Sequence, residues 1–353
     1  MNFKIIITCL IITLSISCAH KSDSTITVGK ENAYLECEKI SSLKENLSLF
    51  GNIESFDFID DNHFVVTTSK PSDIIIFNKK GQQVKKIGSI GRGPFEYQKP
   101  KITKVHNDKI FVWDADFLKL IVYDNQGNPI KEYGGFKVAI EDFKITKNYV
   151  CFYFGGGFSG MVGVYDLIKE QYIYRGGETS EEHILLSLNN GSGGMTLFND
   201  GLVYVSADEL SLRFLNFSNF KEKTIASLND NEFKVENVKN AEKIINSSRD
   251  EAIKYIMKNS YTTGLFKSGD KLVIKVEVGE FKKDKNNLND NSDRFVKYYI
   301  LNNKLELIQT VKSPHDFGQN NTLFTSYNGE IYCLKYNTSD EDFHYELNKL
   351  KFK

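Results

Sequence analysis

The sequence predicts an all-β fold, a six-bladed β-propeller with one inserted helix between blades four and five. Three observations predict it: a repeated order of strand-forming runs, turn residues at matching places in the repeats, and one stretch of helical periodicity that interrupts the series. In the first repeat, Phe64-Val65-Val66 is followed by Ile74-Ile75-Ile76-Phe77-Asn78-Lys79-Lys80-Gly81 and then by Ile87-Gly88. A shift of 46 residues, from Phe64 to Ile110, brings up Ile110-Phe111-Val112, Leu120-Ile121-Val122-Tyr123-Asp124-Asn125-Gln126-Gly127 and Tyr133-Gly134. β-Branched and aromatic residues favour strands, and the Asn/Asp-x-x-Gly run supplies a turn whose glycine takes positive φ.

Four weaker copies follow. Tyr149-Val150-Cys151-Phe152-Tyr153 leads to Val162-Gly163-Val164-Tyr165-Asp166, and Gly201-Leu202-Val203-Tyr204-Val205 leads to Leu212-Arg213-Phe214-Leu215. The last two pairs start at Lys271 and Val296, and at Glu330 and His344. Units of roughly 40–60 residues are in the range of propeller blades, and radial packing lets each sheet bury both of its faces. Residues 33–40 have strand character and are expected to pair with the C-terminal blade as its outer strand, which would close the ring and hide an edge. Val238, Ala241, Ile244, Ile245, Ala252, Ile253 and Ile256 recur at helical spacing. They predict one amphipathic helix of about five turns packed on the rim. Residues 282–293 are polar and Asn-rich, as in a long hairpin loop.

Composition narrows the function classes. The 353 residues include 45 basic and 46 acidic ones, so a nucleic-acid partner has no electrostatic support. Residues 5–16 are apolar after Lys4, too short to span a bilayer and suited to an export signal. Leu14-Ser15-Ile16-Ser17-Cys18 resembles a bacterial lipobox, with Ser15 where Leu is usual. The resemblance implies a signal peptide over residues 1–17, lipidation of Cys18, and an outer-membrane lipoprotein of the cell envelope whose partner is the membrane. Residues 18–32 then read as a tether and 33–353 as the propeller. With Cys9 and Cys18 set aside, Cys37, Cys151 and Cys333 are an odd set, and the last two lie in apolar strands as small hydrophobes.

The run Ile87-Gly88-Ser89-Ile90-Gly91-Arg92-Gly93-Pro94-Phe95-Glu96-Tyr97 resembles the IGxxGxGPxEY signature of the six-bladed β-propeller lipoproteins of Bacteroidetes, a TolB-like or NHL-like group. Their pattern usually has Gly where Phe95 stands. The resemblance extends over the mature chain and implies a fold and an envelope location, with no single activity. Physically, the glycines and Pro94 make a rigid loop. It either presents Arg92, Glu96 and Tyr97 to a ligand or serves as a crossover between blades.

The remaining candidates each have two readings. Trp113, Asp114 and Asp116 sit in one turn; Asp114 ties the turn through backbone amides, or Asp114 and Asp116 help hold Ca²⁺. No other cofactor motif is present. His63 and His106 are either turn residues or a metal pair, and His315-Asp316 is a loop pair or an oriented base. Gly155-Gly156-Gly157-Phe158-Ser159-Gly160 lacks the helix and Lys of a phosphate loop. The sequence therefore favours a binding or scaffold module for a glycan, peptide or envelope protein, acting through one propeller face. The competing reading is a metal-dependent lactonase, esterase or lyase, which requires inward-facing carboxylates such as Asp57, Asp114 and Asp316 around a cation. A purely structural partner would expose an apolar patch, on the helix near Ile245 for example.

Overall fold

The computed structural model describes residues 25–27, 33–43, 52–155, 160–188, 193–279, 294–314, 322–337 and 344–353. Two strands precede the ring, β1 (Thr25–Thr27) and β2 (Ala33–Leu43). Blade one is β3 (Ile53–Phe58), β4 (His63–Thr68), β5 (Ile74–Asn78) and β6 (Gln83–Ile87). Blade two is β7 (Pro100–His106), β8 (Lys109–Asp114), β9 (Lys119–Asp124) and β10 (Pro129–Tyr133). Blade three is β11 (Asp142–Ile145), β12 (Tyr149–Tyr153), β13 (Val162–Asp166) and β14 (Gln171–Gly176), followed by helix α1 (Glu181–Leu186). Blade four is β15 (Gly194–Phe198), β16 (Gly201–Val205), β17 (Ser211–Asn216) and β18 (Glu222–Asn229), followed by α2 (Ala241–Ser247) and α3 (Arg249–Lys258). Blade five is β19 (Tyr261–Ser268), β20 (Lys271–Val278), β21 (Phe295–Leu301) and β22 (Leu307–Pro314). Blade six takes β23 (Thr322–Tyr327), β24 (Glu330–Asn337) and β25 (His344–Phe352) from the C-terminus. Each blade is an antiparallel meander, and the first strands touch in the order β3, β7, β11, β15, β19, β23 and back to β3.

The runs that looked continuous in the sequence are buried on both faces. In β4 and β5, Val65, Ile74 and Ile76 pack with Ile110, Val112 and Ile121 of blade two. Their alternates Phe64, Val66, Ile75 and Phe77 pack with Tyr332, Leu334 and Leu347 of blade six. Period-two alternation thus delivers successive side chains to two different neighbours. The outer strands β6 and β10 are largely exposed and correspondingly polar. Asn78 accepts the amides of Lys80 and Gln82 at 3.0 Å, and Gly81 has φ +83°, so the repeated turn is an Asx-stabilised one.

The N-terminal strand closes the ring. β2 runs antiparallel to β25, from Leu35 opposite Phe352 to Leu43 opposite Tyr345. Its first residues also pair in parallel with Val311 and Lys312 of β22, which joins blades five and six into one eight-stranded sheet. One correction concerns the tether read over residues 18–32: Thr25–Thr27 is a strand, paired in parallel with Ser227 to Asn229 on the edge of blade four. Cys18 and residues 282–293 lie outside the described residues.

The insertion also differs from expectation. Two helices replace the single five-turn one, because Ser248 is extended (φ −164°, ψ 119°) and caps α3 by accepting the Glu251 amide. A serine there competes with helix continuation by satisfying the free amides of a new N-terminus. The third helix, α1, is too short to give a periodic signal. Its Leu185 packs with Ala241 and Ala252, and Ile245 is partly buried in the same cluster. Leu186 packs with Ala207 and Tyr261, so the helices rest against the start of β19. The guanidinium of Arg294 donates to the carbonyls of Met257 at 3.2 Å and Asn259 at 2.9 Å, and so holds the C-terminal end of α3.

His183 of α1 is fully buried, and its Nδ1 accepts the Ala207 amide at 2.9 Å. Burial holds its pKa below the ordinary 6.5, against the pull of Asp208. The unfolded chain therefore binds more protons than the folded one below about pH 6.5, and stability falls as the pH drops through that region. His106 is displaced in the same direction by burial. The thermal midpoint is expected to fall between about pH 7 and pH 5, with a shallower fall in His183→Asn, which keeps an acceptor for Ala207. Parallel pH profiles for the two proteins would reject His183 as the source. Removal of residues 1–43 strips the outer strand from blade six and bares the β25 edge. Melting and light scattering should show a lower midpoint and aggregation; an unchanged midpoint would mean that three strands suffice.

Candidate functional site

The six inner strands surround a cavity of about 970 Å³ on the propeller axis. Strands β3, β7 and β11 give it a charged wall. The Asp142 carboxylate lies between two ammonium groups, Lys104 at 3.2 Å and Lys144 at 2.8 Å. Lys101 faces Glu141 at 3.7 Å. Asp57 accepts from the amides of Val105 at 2.8 Å and Phe58 at 3.0 Å and from the Thr325 hydroxyl at 2.8 Å, which ties blade one to blades two and six.

These groups tune one another. Burial pushes the Asp57 carboxyl up, with Lys104 partly offsetting it. Burial would raise Asp142 too, but its two lysines hold it below the usual carboxylate range. Lys104 lies above its ordinary value because Asp142 and Asp57 outweigh burial. Lys144 lies below, through burial and through repulsion by Lys104. Two lysines and two aspartates so form a locally neutral cluster.

The wall of blades four and five is built differently. Gly193 (φ +79°) lies where a methyl group would overlap the Tyr153 hydroxyl. Gly264 stands opposite Lys275 in the β19–β20 ladder, and the Phe266 ring lies where a side chain at 264 would stand. Second-strand residues Tyr153, Lys275 and Glu277 also line the cavity. Lys275 is 4% exposed, and its ammonium lies 4.7 Å from the centre of the Phe324 ring. Burial pushes its pKa down, opposed by Glu277. The Glu277 carboxylate accepts from the Tyr261 hydroxyl at 2.8 Å and lies 3.3 Å from Nε of Arg294.

The residues singled out by sequence are placed elsewhere. Arg92, Glu96, Tyr97, Trp113, Asp114 and Asp116 are all absent from the cavity lining. Tyr97 and Trp113 are buried to 1% exposure, Trp113 against Phe136 and Phe152. Glu96 accepts the Gly93 amide at 2.6 Å, and the Tyr97 amide reaches the Ser89 carbonyl at 3.0 Å, so the loop folds on itself. Arg92 is exposed. Asp114 is fully buried and accepts from the amides of Gln98, Lys99, Asp116 and Phe117, while Asp116 points to solvent. With four amides on Asp114, the pair has the geometry of a tied turn rather than of a Ca²⁺ cradle.

His63 is held at 3.0 Å from Asp60 in an exposed turn, whereas His106 lines the cavity, so the two do not converge. His315 and Asp316, and the centre of the Gly155–Gly160 run, lie outside the described residues. Asp57 does reach the cavity, but among the described residues no three His, Cys, Asp or Glu groups are arranged to hold a metal. The lysines of the wall escaped the sequence reading because Lys101, Lys104 and Lys144 look like ordinary polar alternates of short strands. The available signal was their recurrence on first strands of successive blades.

Residues 27–160 match a family model, DUF5128, described as 6-bladed beta-propeller. No curated protein matches the chain. Among solved structures, it is similar to an exported protein from Bacteroides fragilis (TM-score 0.66, 13% identity, covering 93% of this chain and 99% of that one). It is also similar to a DUF4221 family member from Bacteroides vulgatus (TM-score 0.61, 14% identity, covering 92% and 98%).

Asp114→Ala should cost about 2–4 kcal/mol, since several buried amides lose their acceptor at once. Asp116→Ala should leave the unfolding midpoint unchanged with or without Ca²⁺. Equal losses in denaturant melts, or a Ca²⁺-dependent midpoint abolished by either change, would favour a cation site instead. The sheet order, the ring of inner strands and the family match over residues 27–160 together identify the chain as a six-bladed β-propeller.

Proposed function

We propose that this protein is an exported, envelope-anchored binding module whose ligand enters the axial cavity. The observation that carries the reading is the cavity itself: about 970 Å³, walled by charged and hydroxyl side chains from several blades. Such convergent polar groups on rigid strands suit recognition of a polar solute or the tip of a glycan or peptide. The likeness to an exported Bacteroides protein supports passage out of the cytoplasm. The lipobox-like run ending in Cys18 supports anchoring by lipid. The cavity carboxylates Asp57, Glu141, Asp142 and Glu277 are taken up by lysines, an arginine, amides and hydroxyls, which supports binding over metal-assisted hydrolysis.

The test is a thermal-shift screen with neutral and acidic glycans, short peptides, Ca²⁺ and Zn²⁺. A ligand that binds only the folded state raises its midpoint. Thr196 is a buried cavity-lining residue, so Thr196→Trp plugs the axis. A stabilising glycan or peptide should lose its effect in that variant, provided the variant still melts cooperatively. Stabilisation undiminished by the plug would move the site to an outer face. Stabilisation by a metal, reversed by chelation, would return the enzyme reading to first place.

A further inference from the structure

We propose that the cavity contains an anion subsite centred on Lys275, which takes the carboxylate of a hydroxylated organic acid such as a sugar acid. The proposal rests on the cavity being the binding site and names what it selects. Lys101, Lys104 and Lys144, on the opposite wall, each have a carboxylate within ion-pair distance. Lys275 has none among the described residues, although it is 96% buried by its 4% exposure and borders the cavity. The nearest acid, Glu277, is drawn to Arg294 and Tyr261.

A buried ammonium with no carboxylate in ion-pair contact among the described residues is unfavourable, and the Phe324 ring face compensates only part of that. A ligand carboxylate supplies the missing charge in a site already shielded from bulk water. The hydroxyl-bearing side chains of Thr196 and Thr263 on the adjoining wall match the rest of such a ligand. Burial pushes the Lys275 amine down, and by linkage a bound carboxylate would raise it again.

The experiment is calorimetric titration of the purified protein with glucuronate, glucose and inorganic phosphate. Glucuronate should bind at least tenfold more tightly than glucose. Lys275→Met should lose that preference at least tenfold while leaving glucose unaffected, and Lys275→Arg should keep most of it. Lys101→Met, which breaks a paired lysine, serves as the comparison and should change the preference less. Melting curves confirm that each variant is folded. Equal binding of the two sugars, or a preference that survives Lys275→Met, overturns the subsite and leaves the cavity reading standing. Phosphate binding as tight as glucuronate overturns the assignment to a sugar acid. A glucuronate response that persists in Thr196→Trp removes the cavity reading instead.

Discussion

Every blade is apolar on both faces, and the fold depends on that constraint. In β4, Val65 packs toward blade two while Phe64 and Val66 pack toward blade six. A lone blade would leave one or both sets in water. Only a closed ring covers them all, so the last blade must be completed wherever its strands come from. The chain solves this with β2, whose Leu43 sits in the same cluster as Tyr345 and Phe56. Closure is thus a condition of burial for the whole molecule, and the strand that provides it comes from the opposite end of the sequence.

The same geometry decides where polar chemistry can stand. Moving inward along a blade, the neighbours converge, and the inner strands meet an axis with no partner sheet to cover them. Side chains there face a shared space, so charge on one blade is compensated by charge on the next. Asp142 of blade three answers Lys104 of blade two, and Asp57 of blade one is met by Thr325 of blade six and the Val105 amide of blade two. These contacts act as inter-blade ties as well as a ligand wall. The cost of burying charge is moderated because each group retains a partner and some contact with the cavity.

Much of this fold was legible because burial on two faces imprints continuous β-branched runs, and because Asx turns demand Asn or Asp with a following Gly. The IGxxGxGPxEY run was legible for a related reason. Phe95 is held at φ +62°, a left-handed conformation that a side chain takes at some strain. Its amide donates to Glu132 at 2.9 Å and its carbonyl accepts the Tyr123 hydroxyl at 3.1 Å, which keep the strained loop in place. The site was less legible. An inner-strand lysine and an outer-strand lysine have the same local pattern, and only the ring tells them apart. β1 and α1 were missed because three and six residues are too few to show a period.

The helical insertion bears on the cavity through one chain of charges. The last carbonyls of α3 need a donor, and Arg294 supplies it from the start of blade five. A guanidinium only 4% exposed needs a carboxylate beside it, and Glu277 stands there. Glu277 and Lys275 project from the same strand at alternate positions on one face, so the carboxylate that could have neutralised Lys275 is held by the helical cap instead. That Lys275 has no carboxylate within ion-pair distance among the described residues is therefore a consequence of how the rim helices are anchored. An insertion that looks peripheral in sequence sets the charge that a ligand on the axis would meet.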